Sequence, residues 1–188
     1  MKRLAILLLI MAATTVALPL RTAAQDRQPM AEMLAKCTFS WGVQMGGSID
    51  MSGQNMSSLD LSGVVGLRHK WIKMLGVGMG AQMMVSNSCR AYPMFFTFRT
   101  DFSSTRRRLV FLDTRIGAAN NTFPGGVHRT GLYAYGGVGI NLATGKRFAS
   151  FMTLGYTYLH RGEVTYGEGE THFLPHLHYA SVGLGIHF

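Results

Sequence analysis

Three histidines near the end of the chain offer the first candidate chemistry. His160, His176 and His178 flank a stretch that also holds Glu163, Glu168, Glu170 and His172. Imidazole nitrogens and carboxylates gathered in one place are the donor set of a transition-metal site. A histidine at a lipid surface could instead act as a general base. Acyl transfer would then need a serine beside it, and Ser150 and Ser181 lie elsewhere along the flanking segments. No metal-binding or catalytic motif accompanies the cluster. His160, His176 and His178 therefore stand as metal candidates, against the plainer reading of polar rim residues that solvate headgroups. No catalytic residue and no cofactor is assigned.

A second set is ionic. Asp60, Arg68, Arg99, Asp101, Asp113 and Arg115 all fall on the polar side of alternating segments. Charges enclosed together are tolerated when they pair or stay hydrated. The set reads as an internal charge network, with a narrow solute pathway as the functional alternative. Gly76-Val77-Gly78-Met79-Gly80 invites a phosphate-loop reading, but that loop must open a helix. Here glycine at every second residue lines one face of a strand.

The elements that must position these residues are strands. Apolar and polar residues alternate with period two in eight segments of roughly 9–13 residues, the length of a tilted membrane strand. They run over 38–49, 58–68, 73–86, 91–102, 109–118, 131–143, 148–160 and 176–188. Leu75, Val77, Met79, Ala81 and Met83 against Gly76, Gly78, Gly80 and Gln82 is a clear example. The segment 109–118 is ambiguous, since Leu109 and Phe111 compete with Val110 and Leu112. Asp113 and Arg115 decide it, because both would otherwise meet hydrocarbon. That parity also sends Leu109 and Phe111 inward. Short turns over 69–72, 103–108 and 144–147 oppose longer loops over 50–57, 119–130 and 161–175, with 87–90 a short exception. The pattern predicts an all-β, eight-stranded antiparallel up-and-down transmembrane β-barrel with both chain ends on one side.

The first 24 residues read differently. Lys2 and Arg3 precede an apolar run from Leu4 to Val16, and Thr22-Ala23-Ala24 supplies small residues before Gln25. This is the layout of a cleaved signal peptide, followed by a periplasmic segment over 25–37 and a barrel over 38–188. Cleavage removes Lys2, Arg3 and Arg21 from a chain of net charge +9. A basic, exported chain without a clustered basic helix argues against nucleic acid. Lys70, Lys73, Arg106, Arg107, Arg108, Lys146 and Arg147 gather at the short turns, where they would meet anionic headgroups. Cys37 and Cys89 fall at opposite ends of the strand order and are expected to remain separate thiols.

A soluble sandwich also alternates. Against it, the polar face is mostly Gly, Ser, Thr and Gln, which suits a crowded lumen. Phe39, Trp41, Trp71, Phe102, Phe148 and Phe188 gather toward one rim, and Tyr92, Tyr156 and Tyr158 toward the other, as in membrane girdles. Ala180, Val182, Leu184, Ile186 and Phe188 alternate to the last residue. This resembles the C-terminal signal of outer-membrane proteins, and the chain over 38–188 resembles small barrels of the OmpA/OmpX kind. The resemblance implies a place in the outer membrane of a Gram-negative bacterium, delivery by the barrel-assembly machinery, and phospholipid and lipopolysaccharide as neighbours. It implies a monomer and carries no activity. The expected role is structural or surface-interacting and non-enzymatic. A lipid-modifying or metal-dependent enzyme at the histidine rim and a small-solute channel are the alternatives.

Overall fold

In the computed structural model the described residues are 37–69, 72–86, 88–101, 109–124, 127–145, 148–166, 170–173 and 176–188, with side chains left undescribed over 163–166 and 170–173. Residues 1–36, with the expected signal peptide, and Lys70, Trp71, Phe102, the arginines at 106–108, Lys146 and Arg147 lie outside them. The unit Thr38–Phe188 is built of strands β1 (Thr38–Asp50), β2 (Ser58–Arg68), β3 (Ile72–Met84), β4 (Arg90–Asp101), β5 (Val110–Phe123), β6 (Val127–Thr144), β7 (Ala149–Leu159), β8 (Glu163–Tyr166), β9 (Glu170–Phe173) and β10 (Leu177–His187). Eight close a barrel in the order β1-β10-β7-β6-β5-β4-β3-β2, and β8 and β9 form a separate hairpin. Every pairing is antiparallel.

The seam that closes the barrel joins β1 to β10, with Gly42 opposite His187 and Asp50 opposite Tyr179. Phe188 finishes it. Its N–H donates to Trp41 O at 2.8 Å, and its own oxygen accepts from Trp41 N–H at 3.2 Å. Ser40 Oγ donates to the same oxygen at 2.6 Å, and the Phe188 ring stacks on Trp41 at 4.5 Å. A closed barrel leaves no strand edge to template aggregation.

Two ends differ. The turn end holds the β2–β3, β4–β5 and β6–β7 connections and the beginning and end of the barrel. The loop end holds the other connections. Two of these depart from the loops the sequence predicts. The segment 119–130 extends β5 and β6, which pair up to Phe123 opposite Val127. The segment 161–175 contains the β8–β9 hairpin. Polar residues such as Asn120, Asn121, Thr122 and Thr130 hide those strand ends from a hydropathy reading, but ladder hydrogen bonds do not need apolar side chains.

The outward face is apolar on every barrel strand. Met45, Leu61, Met79, Met94, Ile116, Val138, Leu154 and Val182 are all exposed, a continuous band that water would not leave bare. Phe39, Trp41, Phe148 and Phe188 are exposed toward the turn end, and Tyr92 and Tyr156 toward the loop end. Inward glycines make room for rings. An added Cβ would overlap the Phe111 ring at Gly139 and the Phe151 ring at Gly185, and at Gly78 it would lie 2.6 Å from Phe95. The Gly-X-Gly runs are thus the holes into which lumenal aromatics fit.

Candidate functional site

Register alone brings the central ions together. Arg99 and Asp113 are direct cross-strand partners in β4 and β5, and both point inward because their neighbours Phe98, Val110 and Ile116 point outward. Asp113 is 0% and Arg99 1% exposed. Arg99 Nη2 lies 3.0 Å from Asp113 Oδ2, and Arg115 Nη2 lies 2.7 Å from the same oxygen. Gln44 Oε1 on β1 accepts from both guanidinium groups, and Arg115 Nη1 donates to Ser62 Oγ on β2 at 3.4 Å. The rings of Phe151 and Tyr135 lie under Arg99 and Arg115 at 4.7 and 4.8 Å. One carboxylate therefore serves two cations, and a neutral amide shares what remains.

Two further acids flank this centre. Asp60 accepts from the hydroxyls of Ser48 and Ser58. Ser48 passes the chain on to Ser181 at 2.8 Å, and Ser181 to Thr157 at 2.7 Å. Toward the turn end, Asp101 lies 3.8 Å from Lys73 Nζ, which also donates to Asn141 Oδ1 and sits 4.0 Å over the Phe111 ring.

Three expectations need correction here. Arg68 shares the inward parity of Asp60 but stands exposed at the turn-end rim, outside the central network. Lys73, expected to face headgroups, is buried in the lumen. The cause is a bulge between Ile72 and Met74, which turns Lys73 and Met74 inward together and breaks simple alternation. Leu109 does not fill the lumen either: it is 50% exposed, and of the pair Phe111 by itself is buried there. Asp101 and Arg115 remain on the lumenal side, Asp101 near the rim.

The lumen is closed at both ends of this network. Phe111, Phe151 and Met74 are buried at the turn-end side, and Met56, Cys89, Ala91, Leu159, Leu177 and Tyr179 at the loop-end side. Between them a cavity of about 40 Å³ is lined by Gln44, Asp60, Gln82, Arg115 and Tyr133 among others, enough for about three waters at ~10–15 Å³ each. At the loop end Asp50 shapes the first connection. Its carboxylate accepts from the N–H groups of Ser52, Gln54 and Met56 at 2.7, 2.8 and 3.1 Å, which sets Met56 over the barrel mouth. Arg161, 5% exposed, packs there too, 4.9 Å over the Phe123 ring with Nη1 3.3 Å from Met56 Sδ.

The three histidines form a ladder at the loop end of β7 and β10. The His160 and His176 rings are 4.8 Å apart, Tyr158 lies 5.7 Å from His176 and 5.5 Å from His178, and the Tyr156 hydroxyl is hydrogen-bonded to His178 Nδ1. Register places Tyr158 opposite His178 and Tyr156 opposite Ala180. Among the described residues no group of three or more His, Cys, Asp or Glu has metal-binding geometry; the side chains of Glu163, Glu168, Glu170 and His172 lie outside them. A serine does reach this rim, contrary to expectation. Ser52 Oγ accepts from the His178 backbone N–H at 2.8 Å, while the imidazole itself is engaged by Tyr156. Ser52 was hidden because it comes from the first loop, far away in sequence.

Fold and lumen together define a small closed eight-stranded barrel with the architecture of outer-membrane barrel proteins. Among solved structures, Neisserial surface protein A (NspA) is similar at a TM-score of 0.51 and 14% identity, over 80% of this chain and 97% of that one. Ail, the attachment invasion locus protein of Yersinia pestis, matches with a TM-score of 0.40 and 14% identity, over 81% of this chain and 97% of that one. No family model matches the sequence, and no curated protein does.

Proposed function

We propose that this chain is a non-enzymatic protein of the Gram-negative outer membrane, with its turn end in the periplasm and its loop end outside, serving envelope structure or surface interaction. The observation that carries the reading is the inversion of the barrel. Apolar side chains are exposed all around its wall, while its ions are buried and paired inside. An apolar wall belongs in lipid, and a lumen packed with paired charge and aromatic rings does not conduct. Phospholipid and lipopolysaccharide are then its neighbours. Ala180, Val182, Leu184, Ile186 and Phe188, outward and closing the seam, form the strand offered to the assembly machinery.

The test combines three measurements on the full chain. Expressed protein should fractionate with the outer membrane, purified barrel should give no conductance steps in planar bilayers, and the mass of lipid A should not change on overexpression. Discrete conductance steps would replace this reading with a channel, and altered lipid A would replace it with an enzyme.

A further inference from the structure

The barrel mouth at the loop end buries a cation without an anion. Arg161 follows β7 and is 5% exposed. Among the described residues no carboxylate lies within ion-pair reach of it, and its Nε–H has no hydrogen-bond partner. What the guanidinium does touch is soft. Nη1 donates to Met56 Sδ at 3.3 Å, and the Phe123 ring lies 4.9 Å away. A thioether is a weak acceptor, and a ring face only partly replaces lost water. The other buried arginines among the described residues, Arg99 and Arg115, show what such a group ordinarily finds. Both share Asp113 and the Gln44 oxygen. Asp50 stands at the same mouth as Arg161, but its carboxylate is occupied by the N–H groups of Ser52, Gln54 and Met56. Tyr179, opposite Asp50 in the register and 0% exposed, also keeps a hydroxyl without a partner. A buried charge left in this state is destabilising until an anion reaches it.

We propose that Arg161 is the floor of a small-anion site of the chloride type, with Met56 as its movable cap. The sulfur marks the place. A chloride ion has nearly the radius of a thioether sulfur and accepts an N–H from a similar distance. In that position it would bring the full negative charge that the sulfur lacks, and a charge-assisted hydrogen bond is the stronger one. The cap can leave without unfolding the loop. The Met56 backbone stays pinned by Asp50, while its side chain is unbranched, flexible and 9% exposed. A monatomic ion suits the site better than an oxyanion, since the place to be filled is that of one sulfur and its methyl. Binding exchanges the Met56 side chain for the anion. The cover that the first connection gives the barrel mouth therefore changes with anion concentration. The site depends on this geometry alone and not on which compartment the loop end faces.

The test is NMR on the full chain folded in detergent micelles, with the Arg161 Nε–H and the Met56 methyl as reporters. Arg161→Lys and Met56→Ala assign the two signals by their loss. Sodium chloride then replaces sodium gluconate, whose anion is too bulky for the place of the sulfur, at constant ionic strength so that screening does not change. Both signals should shift together and saturate with one midpoint. In Met56→Ala the midpoint read at Arg161 should fall by about tenfold, because the cap no longer competes for the place. In Arg161→Gln the Met56 methyl should ignore chloride. If Arg161→Gln does not fold, the titrations of the unaltered chain and of Met56→Ala decide. An Nε–H shift that does not saturate, a Met56 methyl that still follows chloride in Arg161→Gln, or a midpoint unchanged in Met56→Ala overturns the capped site.

Discussion

Replacing Asp113 by asparagine tests the central claim that the lumen is a sealed ionic core. Asp113 is fully buried and, among the described residues, is the one carboxylate in direct contact with both Arg99 and Arg115, at 3.0 and 2.7 Å. The asparagine side chain would keep the volume and one acceptor but remove the charge. Two guanidinium groups, 1% and 6% exposed, would then share only the neutral oxygens of Gln44, Ser62 and the new amide. Breaking a buried ion pair from one side costs about 3–5 kcal/mol, because the orphaned charge stays desolvated. Replacing all three ions with apolar residues of similar volume should cost less, since no charge is left behind. Urea unfolding from lipid vesicles, read by tryptophan fluorescence, measures both variants. A loss below about 1 kcal/mol for Asp113→Asn would show that water hydrates these arginines, given that paired buried charges cost several times more. The lumen would then be open, and the non-conducting reading would fall with it.

Three other outcomes follow from the packing. Gly139→Ala drives a Cβ into the fully buried Phe111 ring, so the same unfolding assay should show a loss of about 1–3 kcal/mol from overpacking; no loss would mean that the ring has room to move. Deleting Phe188 removes two backbone hydrogen bonds and the Trp41 stack from the seam, about 2–3 kcal/mol at ordinary values. The truncated chain should show lower outer-membrane yield and lower heat resistance on cold gels. Cys37 precedes β1 at the turn end, while Cys89 is a buried thiol in the β3–β4 connection at the loop end. A wall of roughly 25 Å separates those rims, so the purified monomer should run identically with and without reductant. A redox shift abolished by either Cys→Ser variant would contradict the strand order.

Much of the barrel is legible in the sequence because a strand in a barrel wall has two unlike faces. Period two assigned the outward set, and the charges of Asp113 and Arg115 fixed the parity of β5 where hydrophobicity could not. Alternation fails where the backbone departs from a regular ladder. The bulge at Ile72 and Met74 shifts the face of Lys73 by one residue, and no side chain announces it. Arg68 shows the opposite failure: its parity is inward, but it sits where the wall ends, and parity says nothing about height. The polar tops of β5 and β6 pair through backbone groups that carry no hydropathy signal.

By itself the sequence determined which residues share a face on the regular strands and the number of wall strands, since these follow from local alternation and turn chemistry. Only the closed structure decided who meets whom across the lumen and along the closing seam. Gln44 of β1 meets Arg99 of β4 and Arg115 of β5, and Ser52 of the first loop meets His178 of the last strand. Both contacts join residues far apart in the chain. Closure and register create them, and a chain read one segment at a time contains neither.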